Sequence, residues 1–185
     1  MRGLRGLELV YNFHMHTKNE NLACNIELVS ANPDNLDIYK EIRLRGLRDE
    51  PQAFGSTLAR EEAFTTERWL ERVRRPYNVI AMEANKPVGT MGAYVSEDEP
   101  TIANIIGVFV ASEARGKGVG AKLLNEVLSR IKQNVNIKTV ALTVNKEQLP
   151  AVSLYEKFGF EITGEEKNLM GDGQEHEEYR MVLAL

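Results

Sequence analysis

The stretch "VFVASEARGKGVGAKLL", Val108 to Leu124, constrains the fold most, because three glycines fall within five residues between an apolar strand and a helix. The run Ile102–Val110 has the apolar character of a buried strand, and Val119, Leu123, Leu124, Val127, Leu128 and Ile131 recur at helical spacing. Glycine costs backbone entropy and is favoured where φ must be positive or where something approaches the main chain closely. A helix start presents free N–H groups and the positive end of its dipole, so this junction is predicted to hold an anion, a phosphate or a pyrophosphate.

Two common phosphate patterns do not fit. The P-loop, G-x-x-x-x-G-K-[ST], fails because Gly116-Lys117 is followed by Gly118 and Ala111 takes the first glycine position. The dinucleotide fingerprint, G-x-G-x-x-G, fails because the chain reads G-x-G-x-G and lacks the surrounding βαβ unit with its acidic residue. A third pattern, [QR]-x-x-G-x-[GA], matches Arg115-Gly116-Lys117-Gly118-Val119-Gly120. On these residues the chain resembles the GCN5-related N-acetyltransferase (GNAT) superfamily, whose members cradle the pyrophosphate of acetyl-CoA in such a turn. A second stretch, "VNKEQLPAVSLYEKFGF", Val144 to Phe160, is similar to the family's other signature, a strand end followed by A-x-x-L-Y-x-K-x-G-F. Ala151, Leu154, Tyr155, Lys157, Gly159 and Phe160 all match. Pro150 suits the first turn of that helix and Gly159 its C-terminal cap. The two motifs stand in the family's order, with room for one helix and one strand between them.

With 185 residues the chain is long enough for one well-buried domain and too short for two ordinary ones. A net charge of −4 argues against a general nucleic-acid or anionic-membrane binder. No run approaches the ~20 apolar residues of a membrane span. The single cysteine, Cys24, excludes an intramolecular disulfide framework, reads as a small buried hydrophobe and suits the cytoplasm. Residues 1–23 form a leader too interrupted by Glu8, Asn12 and His14 for a signal peptide. It reads as a flexible segment or an extra strand. The His14-x-His16 pair has no further ligands near it, so no metal is expected.

Residues 24–185 read as a single domain. "CNIELVSA" alternates like an edge strand, and Asn32-Pro33-Asp34 opens a helix with Leu36, Tyr39, Ile42 and Leu47 on one face. "DEPQAFGST" breaks that helix into a loop, and Thr65 or Thr66 starts the next, through Trp69, Leu70 and Val73. Two strands meet at a turn placed at Asn85-Lys86, and "EDEPT" leads into the Ile102–Val110 strand. After the long helix come a strand near 139–144, the Pro150 helix, and strands near 161–165 and 178–183. The fold class is α/β with a mixed sheet, in the order β-α-α-β-β-β-α-β-α-β-β, which is that of the acetyltransferase family.

The resemblance implies acetyl-CoA as cosubstrate, no metal, and direct acetyl transfer to a primary amine. It implies that the amides of Gly116, Gly118, Val119 and Gly120, with Arg115 and Lys117, hold the phosphates. The backbones of Val108 and Val110 would pair with the pantetheine arm as a pseudo-strand. Asn145 is a candidate polar contact to the same arm, while Gln148 stands where relatives often carry Asn. Tyr155 is the candidate general acid, since tyrosine holds its proton to a pH of about 10 and can give it to a thiolate. Some relatives carry a glutamate eleven positions ahead of the arginine, but here that position is Asn104. Glu61, Glu62, Glu97 and Glu99 are the remaining candidate bases, and their charge favours a cationic acceptor. A small-molecule amine is the expected acceptor, with a protein or peptide amino group as the alternative. A non-catalytic acyl-CoA-binding module is the reading from a different class. Monomer and homodimer are both open.

Overall fold

A computed structural model describes residues 25–185. The leader, the His14/His16 pair and Cys24 lie outside the described residues. The elements are β1 (Ile26–Ser30), α1 (Leu36–Asp49), α2 (Leu58–Glu62), α3 (Thr66–Val73), β2 (Val79–Glu83), β3 (Lys86–Val95), β4 (Ile102–Val110), α4 (Val119–Lys132), β5 (Thr139–Asn145), α5 (Leu149–Lys157), β6 (Glu161–Leu169) and β7 (Glu175–Ala184). The expected order holds, with one addition. Helix α2 is a five-residue turn of helix inside the segment expected to be loop, started by Thr57 accepting from the Arg60 amide.

Local chemistry accounts for the helix starts. Asn32 and Asn35 form a reciprocal capping box around a 3₁₀ turn at Pro33–Asn35, which feeds directly into α1. Thr65 caps α3 by accepting from the Arg68 amide. The β2–β3 hairpin turns at Ala84-Asn85, one residue earlier than expected, with both residues at positive φ (48° and 63°). Sheet register forces this: Glu83 pairs with Lys86, so the two residues between them must form the tight turn.

The seven strands run in the order β1-β2-β3-β4-β5-β7-β6. All neighbours are antiparallel except β4 and β5, which α4 connects as a parallel crossover. Strand alternation divides the core between the two faces. Val79 and Ala81 pack with Leu123, Leu124, Val127 and Ile131 of α4, while Ile80 and Phe109 pack with Ile42, Leu47 and Trp69 of α1 and α3. The helices therefore cover both sides of the central strands. Ala84 is an L-residue held in the left-handed region, where a Cβ costs about 1–2 kcal/mol. Because Asn tolerates that region, Ala84→Asn is expected to raise stability by up to about 1 kcal/mol. A urea midpoint lower than that of the parent, at unchanged slope, contradicts the turn assignment.

Candidate active site

The parallel pairing of β4 and β5 lasts for three residue pairs, Ile102–Thr139, Ala103–Val140 and Asn104–Ala141, and then stops. Beyond it β4 stays with β3 and β5 stays with β7, so the two strands part like a fork. A bulge marks the split: Gly107 has φ +66°, and the β3–β4 register shifts between Thr90 and Gly92. A cavity of about 450 Å³ opens in the fork, lined on one side by Ile105 to Val108 and on the other by Leu142 to Asn145. The facing backbone edges of both strands thus lack strand partners there. Unpaired backbone groups of this kind seek a ligand or water.

At the far end of β4 the glycine turn starts α4. Gly116 and Gly118 have φ of +74° and +77°, and a Cβ on either would meet nothing within 4 Å, so the space above the turn is open. Gly118 is the N-cap and no side chain caps the helix, which leaves its first amides directed outward. Gly120 serves a different need. A Cβ there would lie 3.2 Å from Leu154 Cδ2, so its absence lets α4 approach α5. Arg115 donates from Nε to the Val110 carbonyl (3.0 Å) and from Nη2 to Glu50 (2.6 Å). Lys117 pairs with Glu83 at 3.0 Å. Both cations stand half exposed beside the turn.

Val108, Asn145 and Tyr155 line the cavity, whereas Val110, Arg115, Gly116, Lys117, Gly118, Val119 and Gly120 are not part of its lining and stand at the end of β4 and the start of α4. Tyr155 is 4% exposed and packs edge-on against Phe160, with ring centroids 5.7 Å apart. Burial pushes its phenol well above the usual tyrosine range. The Asn145 side chain is engaged within the protein, its Oδ1 accepting from the Glu147 amide (2.8 Å) and its Nδ2 lying 3.1 Å from His176 Nδ1.

The expected acidic pocket is not formed. Glu97 and Glu99 are exposed on the β3–β4 loop, away from the cavity, and Glu62 faces solvent 4.0 Å from Arg48. Glu61 is fully buried and doubly paired. Arg43 donates to it from Nε (3.0 Å) and Nη2 (2.7 Å), and Arg72 Nη1 lies 2.9 Å away. Burial alone would raise the Glu61 carboxyl, but the Arg43 bonds and the Arg72 charge outweigh it and hold the group below the ordinary glutamate value. A carboxylate clamped between two guanidiniums is not available as a base.

Residues that sequence reasoning passed over contribute the rest of the lining. Arg43, Arg72, Asn168 and Glu178 all reach the cavity. For Arg43 a signal existed, since it sits four residues after Tyr39 and four before Leu47 on the buried stripe of α1. Glu178, 4% exposed, is one acidic residue in a strand full of them, and its pattern carries no such mark.

With this geometry in view, the chain matches the family model described as "Acetyltransferase (GNAT) family" over residues 44–160. The chain belongs to the GNAT family. It is 30% identical over 57 residues to a spermine/spermidine N(1)-acetyltransferase of Bacillus subtilis, covering 31% of this chain and 38% of that one. It therefore spans well under half the length of that curated relative. With the L-amino acid N-acetyltransferase AaaT of Escherichia coli it shares 26% identity over 126 residues, 65% of this chain and 76% of the relative. An acetyltransferase of the GNAT family from Streptococcus pneumoniae superposes with a TM-score of 0.74 at 18% identity, covering 87% of this chain and 99% of that one. The fold assigned from the two motifs is thus shared with a solved member.

Removing Glu61 would leave two guanidiniums facing each other in a buried site. Glu61→Ala is therefore expected to cost about 3–5 kcal/mol, measured by urea unfolding. Because the folded carboxyl titrates below the unfolded value of about 4.3, this contribution is full above that pH and is lost as the pH falls toward the folded value. A Glu61→Ala protein as stable as its parent at pH 7 and equally sensitive to acid contradicts the assignment.

Proposed function

We propose that the protein transfers an acetyl group from acetyl-CoA to the primary amine of a small molecule. The observation that carries this reading is the β4–β5 fork leading to an uncapped helix start. A linear arm can lie between the strands while its charged end reaches the turn. In the turn, the amides of Gly116, Gly118, Val119 and Gly120 donate to the pyrophosphate, and Arg115 and Lys117 supply positive charge. The residues present fit that group, since the space above Gly116 and Gly118 is open. The backbones of Val108 and Val110 hydrogen-bond the pantetheine arm, with Asn145 on the opposite strand. The bound thioester supplies the activated acetyl carbon.

The acceptor amine forms the new C–N bond at that carbon while the C–S bond breaks. Tyr155 gives its phenolic proton to the departing thiolate. The neutral amine required for attack arises by loss of one proton from the ammonium form, and the second proton that the nitrogen loses as the amide forms restores the Tyr155 phenol, so each turnover yields amide, CoA thiol and one released proton. Burial suits Tyr155 to this task because it keeps the proton on the oxygen until a base develops beside it.

A contact that covers part of the cavity supports a small acceptor over a folded protein. Met170 and Gly171, at the β6–β7 hairpin, meet the loop between α1 and α2, where the Gly171 amide donates to the Phe54 carbonyl at 2.7 Å. The contact is close enough to require glycine, since a Cβ at 171 would run into the Ser56 carbonyl oxygen. Among the relatives, the named activities include a spermine/spermidine N(1)-acetyltransferase and an L-amino acid N-acetyltransferase, which favour a small amine, and N-alpha-acetyltransferases, which favour the alternative acceptor. A cytoplasmic setting, expected from the single cysteine, belongs to the same reading.

Gly118→Asp is expected to lower CoA affinity sharply, because it places a carboxylate where phosphate charge must sit. Gly118→Ala, which strains the same backbone without charge, is expected to have the smaller effect. Calorimetry showing unchanged CoA affinity in a folded Gly118→Asp protein removes the turn from the site. For Tyr155→Phe, kcat is expected to fall by about 10²-fold with little change in CoA affinity. Since only the protonated phenol can donate and burial raises its pKa, the parent enzyme should show no falling limb in kcat up to pH about 10. A decline near pH 9, absent in Tyr155→Phe, contradicts the burial argument. A Tyr155→Phe rate within a factor of about two, with chemistry rate-limiting, makes the tyrosine a packing residue.

A further inference from the structure

Two opposite charges stand in the cavity wall on separate elements. One is the Arg43–Glu61–Arg72 triad, which carries two positive charges against one negative. Arg43, on α1, has a side chain 7% exposed, and its Nε and Nη2 are both used by Glu61. Its remaining nitrogen, Nη1, makes no hydrogen bond among the described residues and lies beside the β4 bulge, 3.6 Å from where a Gly107 Cβ would be. Arg72 likewise has a buried Nε without a hydrogen-bond partner. The wall is therefore cationic and incompletely hydrogen-bonded.

The other charge is Glu178 on β7. It is buried, pairs in register with Asn145, and lines the cavity with Tyr155. Its carboxylate accepts from Asn168 Nδ2 at 2.7 Å. No Lys, Arg or His forms an ion pair with it among the described residues, in contrast to Glu61. A buried carboxylate without a countercharge is costly, and an ammonium group from a ligand would supply one.

Resting on the acetyltransferase reading above, we propose that the acceptor is an amine that also carries a carboxylate, an amino-acid-like molecule held end to end between Arg43 and Glu178. The carboxylate completes the bonding of Arg43 Nη1 and offsets the surplus charge of the triad. The ammonium group docks at Glu178, which takes the proton the amine must lose before attacking the thioester, and passes it to solvent after the amide has left. A polyamine meets the same cavity badly, because its second ammonium falls against the cationic wall. Recognition comes from the pairing of both ends, since either charge alone would accept a wider range of amines.

Matched pairs that differ by the carboxylate alone test this directly: L-phenylalanine with 2-phenylethylamine, L-methionine with 3-(methylthio)propylamine, and L-arginine with agmatine. Spermidine and a C-terminally amidated peptide complete the panel, with CoA release as the readout. The carboxylated member is expected to show kcat/KM higher by at least about tenfold in pairs where either reacts. Arg43→Lys keeps the charge but loses the free Nη1, and should collapse that ratio toward one, mainly through KM of the carboxylated member. Glu178→Gln retains an acceptor for Asn168 and needs no change at Arg43, so it tests the other end if Arg43→Lys does not fold. It should lower kcat at neutral pH and steepen the dependence of rate on pH as the amine loses its internal base. Decarboxylated amines, spermidine or the amidated peptide reacting as well as the amino acids would overturn the proposal while leaving acetyl transfer intact. So would a Glu178→Gln enzyme with the parent's kcat and pH profile. Tight acetyl-CoA binding with no acetylation of any amine overturns both the proposal and the acetyltransferase reading beneath it.

Discussion

The separation of β4 from β5 is the feature on which the rest of the structure depends. Parallel pairing is slightly weaker per residue than antiparallel pairing. Each of these strands is also committed on its other side, β4 to β3 and β5 to β7 over its whole length. When Gly107 bends β4 at the bulge, the weaker parallel ladder gives way and the antiparallel pairs hold. The opening therefore belongs to the sheet itself and needs no loop to form it. It also fixes where everything else must stand. The strand on one side of the fork, β4, leads to the glycine turn, and the strand on the other, β5, leads to the helix that carries Tyr155. One broken ladder thus sets the glycine turn at the end of one strand and the helix carrying Tyr155 after the other.

The walls of that slot show how context decides what a charge does. Glu61 and Glu178 are both buried glutamates, yet they differ in their partners. Glu61 is held by two arginines, and its role is to let two guanidiniums pack near aromatic rings without repelling each other. Arg43 lies 4.5 Å from the Phe54 ring centroid, and Arg72 lies 5.4 Å from that of Phe64. Glu178 has an amide neighbour and, among the described residues, no ion-pair partner. The first is a structural clamp, and the second is the buried acid on which the proposed acceptor contact rests.

The roof over the slot is built from two segments far apart in the chain. Gly171 and Phe54 join the β6–β7 hairpin to the α1–α2 loop through one backbone hydrogen bond. The loop in turn carries Thr57, the cap of α2, and α2 presents Glu61 to the arginines. The short helix is thus a support for the charged wall, which explains why a segment with turn composition is partly helical.

Much of the fold was legible because its signals are local. A positive φ at Gly116 and Gly118, a proline at the start of α5, and an Asn or Thr ahead of a helix each express a demand of the backbone within a few residues. The apolar stripe of α4 is equally local, and these features determined the fold class, the family and the position of the glycine turn. Where local preference and sheet register disagreed, register prevailed: Ala84 occupies a left-handed position that composition alone would assign to its neighbours. A five-residue helix was too short for any periodicity to show. The charges of the acceptor side were illegible for a deeper reason. Arginines and glutamates have the same letters whether water or protein surrounds them, and Arg43, Glu61, Arg72 and Glu178 come from four elements that meet only in the folded chain. The sequence by itself determined that this protein has the GNAT fold and a glycine turn at the start of α4. Only the tertiary structure decided which buried acids pair with arginine and which are met by an amide, because that depends on burial and on partners distant along the chain.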